Sequence, residues 1–177
     1  MTRTRAAFFA IALAGAALDL ATKSLAFSRV PLGHRPHVVI DGLFEIDSAL
    51  NPGMAWSLAQ GQARPLTIIS LAAVPLIVVL FLRQKPARRI GAVALALVLA
   101  GTLGNLHDRL AIGAVRDFLK FHWHGRAFPT FNVADACICV GVALLAVEML
   151  FFDRRKPAAD APKPEDARPE GAAAPPP

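Results

Sequence analysis

Four apolar stretches leave this chain few ways to fold. They run from about Ala6 to Phe27, Leu66 to Leu82, Ile90 to Leu106 and Val133 to Phe152. Each matches the roughly 17–25 residues that a helix needs to cross a bilayer core. In lipid the backbone polar groups must be satisfied within the segment itself, so runs of this length specify helices. Hydrophobic residues make up 55% of the 177, and mean hydropathy is +0.47, above the roughly 45–50% apolar share of soluble domains. The expected architecture is all-α and membrane-embedded, one polytopic domain over 1–156. Pro75 lies inside the second span, where the missing backbone donor is expected to kink it.

The start of the chain has the basic residues, apolar run and small residues of a secretory signal. The run continues to Phe27, interrupted by Asp19 and Lys23, and is read as an uncleaved first span. Arg3 and Arg5 precede it; Arg83, Lys85, Arg88 and Arg89 fill the link between spans two and three; Arg154, Arg155 and Lys156 follow the fourth. These clusters fall on one side, which the positive-inside rule makes cytoplasmic. Both termini are then expected inside, with the loops 28–65 and 107–131 outside. The net charge of +6 is thus accounted for by topology signals rather than a nucleic-acid footprint.

In the first outer loop, Leu43 to Asp47 alternates apolar and polar residues and predicts a short half-buried strand. Asn51-Pro52-Gly53 forms a turn before Met54-Ala55-Trp56-Ser57, with Trp56 expected at headgroup level. Residues 157–177 are rich in Pro, Ala and charge without apolar periodicity, the composition of a disordered tail. Cys137 and Cys139 are two apart on a helix and do not suit a disulfide with each other; they read as packing residues.

The chemistry-bearing residues cluster between Asn105 and Asp135. Charged side chains at the mouth of membrane helices are costly and mark candidate sites. Asp117 and Asp135 could form a carboxylate pair that shares one proton, one acid activating water while the other protonates a carbonyl or leaving amine. Asp135 also fits a capping box, Asn132 followed three residues later by an acid. Asp117 also fits a loop carboxylate paired with Arg109 or Arg116. Asn105, Asp108 and Arg109 share a helix face, either to orient a substrate or as a polar helix end. Asp19 and Lys23, at i,i+4, are either a self-neutralising pair or functional. His122 and His124 lack a third ligand at a usual spacing, so no metal and no cofactor are expected. On these residues alone, an ion-coupled carrier and a non-enzymatic scaffold stay open beside a peptidase.

Five motifs in order between the four spans narrow this. They are Asp19-Leu20-Ala21-Thr22-Lys23, Asn51 to Ser57, Gly104-Asn105 with Asp108-Arg109, Gly113 to Phe118, and Phe128 to Asp135. From about Asp19 to Gly141 the chain resembles the bacterial lipoprotein signal peptidase (signal peptidase II) family. That resemblance implies an inner-membrane aspartic endopeptidase, inhibited by globomycin, that cuts prolipoproteins just before a diacylglyceryl-modified Cys. It matches the catalytic pair to Asp117 and Asp135, and supporting polar positions to Asp19, Lys23, Asn51, Gly53, Asn105, Arg109 and Asn132. It implies four transmembrane helices with a small extracytoplasmic β-cradle and a short amphipathic outer helix. Expected partners are the prolipoprotein and membrane lipids, with no nucleic acid and a monomeric enzyme. Thr102 stands where the family commonly has a second Gly. Arg116 stands where it commonly has Val, a cation expected to lower the pKa of Asp117. Asn51, Asn105 and Arg109 are expected to hold a locally unwound substrate backbone, clamped by the 43–57 cradle.

Overall fold

The third apolar segment is the centre of the bundle. In the computed structural model, which describes residues 2–53, 63–83 and 89–152, the helices are α1 (Thr2–Arg29), α2 (Ala63–Arg83), α3 (Arg89–Ile112) and α4 (Val133–Phe152). All four are long and apolar enough to span a membrane; 67% of the α3 window is buried, against 22%, 17% and 17% for α1, α2 and α4. The outer three therefore turn most of their surface to lipid, and Ile68, Ile69, Met149 and Leu150 are exposed accordingly.

Small residues let the backbones of α1, α3 and α4 approach, as is common between membrane helices. A Cβ on Gly141 of α4 would come within 2.7 Å of the Ala94 carbonyl oxygen, and one on Gly101 of α3 would collide with the Ala134 carbonyl. Gly104 leaves room for the Asp19 carboxylate against α3. At the other end of the bundle Phe8 stacks on Phe81 at 3.7 Å, in a core completed by Ile77, Leu95 and Leu99.

The extramembrane segments build an antiparallel sheet in the order β1 (His37–Ile40), β2 (Phe44–Asn51), β3 (Val115–Trp123), β4 (Arg126–Ala127). The strand expected at 43–47 is thus longer than its alternating core, and it is the second strand of the small sheet that the resemblance implies. Asp117 lies in β3, not in a loop. Helix α3 runs six residues past the expected Leu106, because its last polar side chains find partners in the protein rather than ending the helix. Helix α2 continues through Pro75. No separate amphipathic helix occurs among the described residues. The segment 54–57 that follows the Asn51-Pro52-Gly53 turn, Lys85 and Arg88 of the basic link, and the tail lie outside them.

Two features of the sheet set up the site. Between Ile46 and Ala49 the β2–β3 register slips: three steps on β2 (46 to 49) accompany two on β3 (119 to 117). One extra residue in a strand switches which side chains share a face. It places Ala49 and Asn51, rather than Ser48 and Leu50, on the face of Asp117. Beyond β4 the chain folds back along β3, where Phe131 pairs with Leu119 through N–H···O bonds of 3.0 and 2.8 Å. That bridge sets Asn132, and the start of α4, against Asp117.

Candidate active site

Asp117 and Asp135 line the same cavity, of about 270 Å³, where β3 meets the first turn of α4. Asn51, Gly53, Arg109, Phe128 and Phe131 complete much of its wall. Asp117 is 3% exposed. Its Oδ2 accepts from Asn51 Nδ2 at 3.0 Å and its Oδ1 from Asn132 Nδ2 at 2.6 Å. Asn51 is itself held by an Asx turn, its Oδ1 accepting from Gly53 N at 3.0 Å.

Asp135 is both a cap and a member of the pair. Its backbone N donates to Asn132 Oδ1 at 2.9 Å while its Oδ2 accepts from Asn132 N at 3.2 Å, the reciprocal capping box. Its other oxygen, Oδ1, accepts from Asn105 Nδ2 at 2.8 Å. Asn132 therefore bonds to both carboxylates, and the two readings of Asp135 are compatible. Asp19 reaches across from α1 to cap the same helix, its Oδ1 accepting from Ala134 N at 2.8 Å.

Behind the pair lies a buried charge network. Lys23 Nζ sits 2.7 Å from Asp19 and 3.2 Å from Asp108, and donates to Asn105 Oδ1 at 2.9 Å. Asp108, 1% exposed, also accepts from Arg116: Nη2 at 2.7 Å, Nε at 3.2 Å and backbone N at 3.1 Å. Asp19–Lys23 is thus an ion pair with two further partners on α3, more than a local helix contact. Asp108, read from sequence as a helix end, is its junction.

Arg116 is paired with Asp108, not with Asp117, because successive residues of a strand point to opposite faces. The expected lowering of the Asp117 pKa does not occur. Burial pushes that carboxyl up to about 7, aided by the negative charge of Asp135 and only partly offset by the Asn51 and Asn132 hydrogen bonds.

The supporting residues divide into two sets. Asn51 and Asn105 commit their side chains to the carboxylates instead of facing the cavity as free donors. The Arg109 guanidinium has no hydrogen-bond partner among the described residues and lines the cavity, where it feels the charge of both Asp117 and Asp135. Cys139, read as a packing residue, is exposed on the same cavity wall one turn along α4 from Asp135; both cysteines are free thiols. Among the described residues no three His, Cys, Asp or Glu side chains cluster as a metal site.

A family model described as signal peptidase (SPase) II matches residues 11–151. The lipoprotein signal peptidase of Geobacter sulfurreducens is 42% identical over 159 residues, covering 88% of this chain and 99% of that protein. The lipoprotein signal peptidase of Geobacillus kaustophilus is 39% identical over 146 residues, 82% of this chain and 94% of that protein. A solved structure described as a bacterial membrane enzyme superposes with a TM-score of 0.75 at 30% identity, covering 83% of this chain and 94% of the other.

Proposed function

The chain belongs to the signal peptidase II family, a family of membrane proteases, and on that premise we propose that it removes signal peptides from diacylglyceryl-modified prolipoproteins by a two-carboxylate mechanism. The observation that carries this reading is the shared cavity: two carboxylates from different elements meet there, bridged by one asparagine. Like charges so close cannot easily both ionise, so the pair holds one proton in common. The ionised member takes a proton from water as the oxygen attacks the scissile carbonyl carbon. The protonated member gives its proton to the carbonyl oxygen, producing a neutral gem-diol. Collapse of the gem-diol sends one hydroxyl proton to the carboxylate that is now ionised, while the carboxyl that took the water proton gives it to the departing amine; the C–N bond breaks and the pair again holds one proton. All atoms come from substrate and water.

Arg109 is the free donor suited to orient the substrate backbone, while Asn51, Asn105 and Asn132 fix the carboxylates. The cut falls before the lipidated Cys, and the substrate's own apolar helix brings it laterally through the bilayer. The basic residues before the first span, between the second and third and after the fourth favour termini on the cytoplasmic side of an inner membrane, with the sheet outside. The enzyme acts as a monomer.

The test is cleavage of a diacylglyceryl prolipoprotein peptide in detergent by the wild type, Asp117→Asn and Asp135→Asn, with substrate binding measured in parallel. Loss of hydrolysis with retained binding in both variants is expected. Either variant cutting near the wild-type rate overturns the mechanism, and a folded wild type that never cuts overturns the activity.

A further inference from the structure

A second cavity, of about 440 Å³, lies between the sheet-side end of α1 and the sheet, and it shares no lining residue with the carboxylate cavity. One wall descends α1 from Arg29 through Ala26 and Leu25 to Thr22; His37 of β1 and Phe118 of β3 face it. Strand alternation puts Phe118 on the opposite face of β3 from Asp117, so this cavity backs onto the strand that carries the acid. Arg29 ends a membrane span and lies at headgroup depth. Thr22 is seven residues back, roughly 10 Å deeper at 1.5 Å per residue, among acyl chains.

The charge of the lining is one-sided. Among the described residues no carboxylate borders the cavity, and neither Arg29 nor His37 is paired with one. A cationic mouth above an apolar trough complements a phosphate carried on acyl chains. The diacylglyceryl group of the proposed substrate carries no charge and would leave the Arg29 guanidinium unanswered. We propose that this cavity binds one anionic phospholipid of the leaflet on the sheet's side, its phosphate held by Arg29 and His37 and an acyl chain lying along Leu25 and Thr22. The lipid fills the space behind β3 and so braces the catalytic strand from its non-catalytic face.

The experiment titrates phosphatidylglycerol into the full-length protein in detergent, reading thermal unfolding and counting retained adducts by native mass spectrometry. Wild type and Arg35→Gln, a control that removes an exposed arginine outside the cavity, should each retain one adduct and gain unfolding temperature. The Arg29→Gln/His37→Gln double variant should bind at least about fivefold more weakly, the effect expected for one basic residue at a membrane surface. Equal stabilisation of all three proteins overturns the site. Soluble glycerol phosphate stabilising as well as the lipid also overturns it, since the cavity would then be an anion site without an acyl-chain subsite. Competition by the neutral diacylglyceryl substrate peptide for the retained adduct would assign the trough to substrate and overturn the phospholipid.

Discussion

Two groups of buried charge sit side by side at the sheet end of the bundle, and they are built on opposite principles. In the Asp19–Lys23–Asp108–Arg116 network each carboxylate has a cation within 2.7 Å, and two acids meet two bases. In the Asp117–Asp135 pair the donors within hydrogen-bond distance are asparagine side chains and one backbone N–H, which hold a carboxylate without neutralising it. Both arrangements fix geometry. In the second, burial and its partner's charge push the Asp117 carboxyl up to about 7. The first group is a frame and the second a poised acid, and Asn105, bonded to Lys23 on one side and Asp135 on the other, joins them.

The largest expected effects separate the two groups by what they damage. Asp117→Asn or Asp135→Asn should lower cleavage by a thousandfold or more, on the order of 4 kcal/mol or above, measured as kcat on a diacylglyceryl peptide. Asp117→Asn should not lower the unfolding temperature, and Asp135→Asn should lower it only by the cap bond it weakens, about 1 kcal/mol. Asp108→Asn and Lys23→Met should do the reverse in kind: the first strips Arg116 of its carboxylate and the second leaves Asp19 buried without a cation, at a cost of up to about 3–5 kcal/mol. Their unfolding temperatures in detergent should fall steeply, and residual activity should follow the folded fraction. An Asp108→Asn protein as stable as the wild type would break the comparison, since its network would then be no frame.

How far the sequence reveals these groups depends on whether neighbours in space are neighbours in the helix. Asp19–Lys23 and Asn132–Asp135 are visible as i,i+4 and i,i+3 spacings, and the structure shows both contacts. The meeting of Asp117 with Asp135 is not visible, because it depends on the Phe131–Leu119 bridge and on a bulge in β2 that turns Asn51 inward. Neither leaves a periodic signal. The motif resemblance, not spacing, is what brings those two acids together in the sequence reading. Strand β3 was within reach: Leu119-Lys120-Phe121-His122-Trp123 alternates, and its Lys120 meets Asp47 at 3.1 Å across the sheet. Arg116 illustrates the cost of treating it as a loop. Adjacent in sequence to Asp117, it is on the other face of the strand and serves Asp108.

A poised acid should carry a stability penalty that depends on pH. The folded pKa of Asp117 lies above its unfolded value, so the folded chain holds this proton more tightly. Its contribution is therefore fully favourable below the ordinary carboxyl range near 4 and is lost as pH rises through about 7. Asp117→Asn, which cannot ionise, should match the wild type near pH 4 and exceed it above pH 7, by up to a few kcal/mol. Thermal unfolding of both proteins across that range measures the difference. A constant offset at all pH values would mean that the carboxyl is not the titrating group.

The finest test of the contrast is to remove one amide donor and leave both acids in place. Asn51 stabilises the ionised form of Asp117 through its 3.0 Å hydrogen bond and so opposes the upward shift. Asn51→Ala should raise the pKa further and move the alkaline limb of the kcat profile to higher pH by about one unit, equivalent to about 1.4 kcal/mol. The sign follows from the shared proton: activity on that limb falls when the pair loses its last proton, and a weaker acid keeps it longer. A cation at the same position, Asn51→Lys, should move the limb the other way, toward lower pH, by favouring ionisation. If both variants reduce kcat without moving the limb, Asn51 positions the strand rather than tuning the acid, and the distinction between amide-held and cation-held carboxylates reduces to geometry.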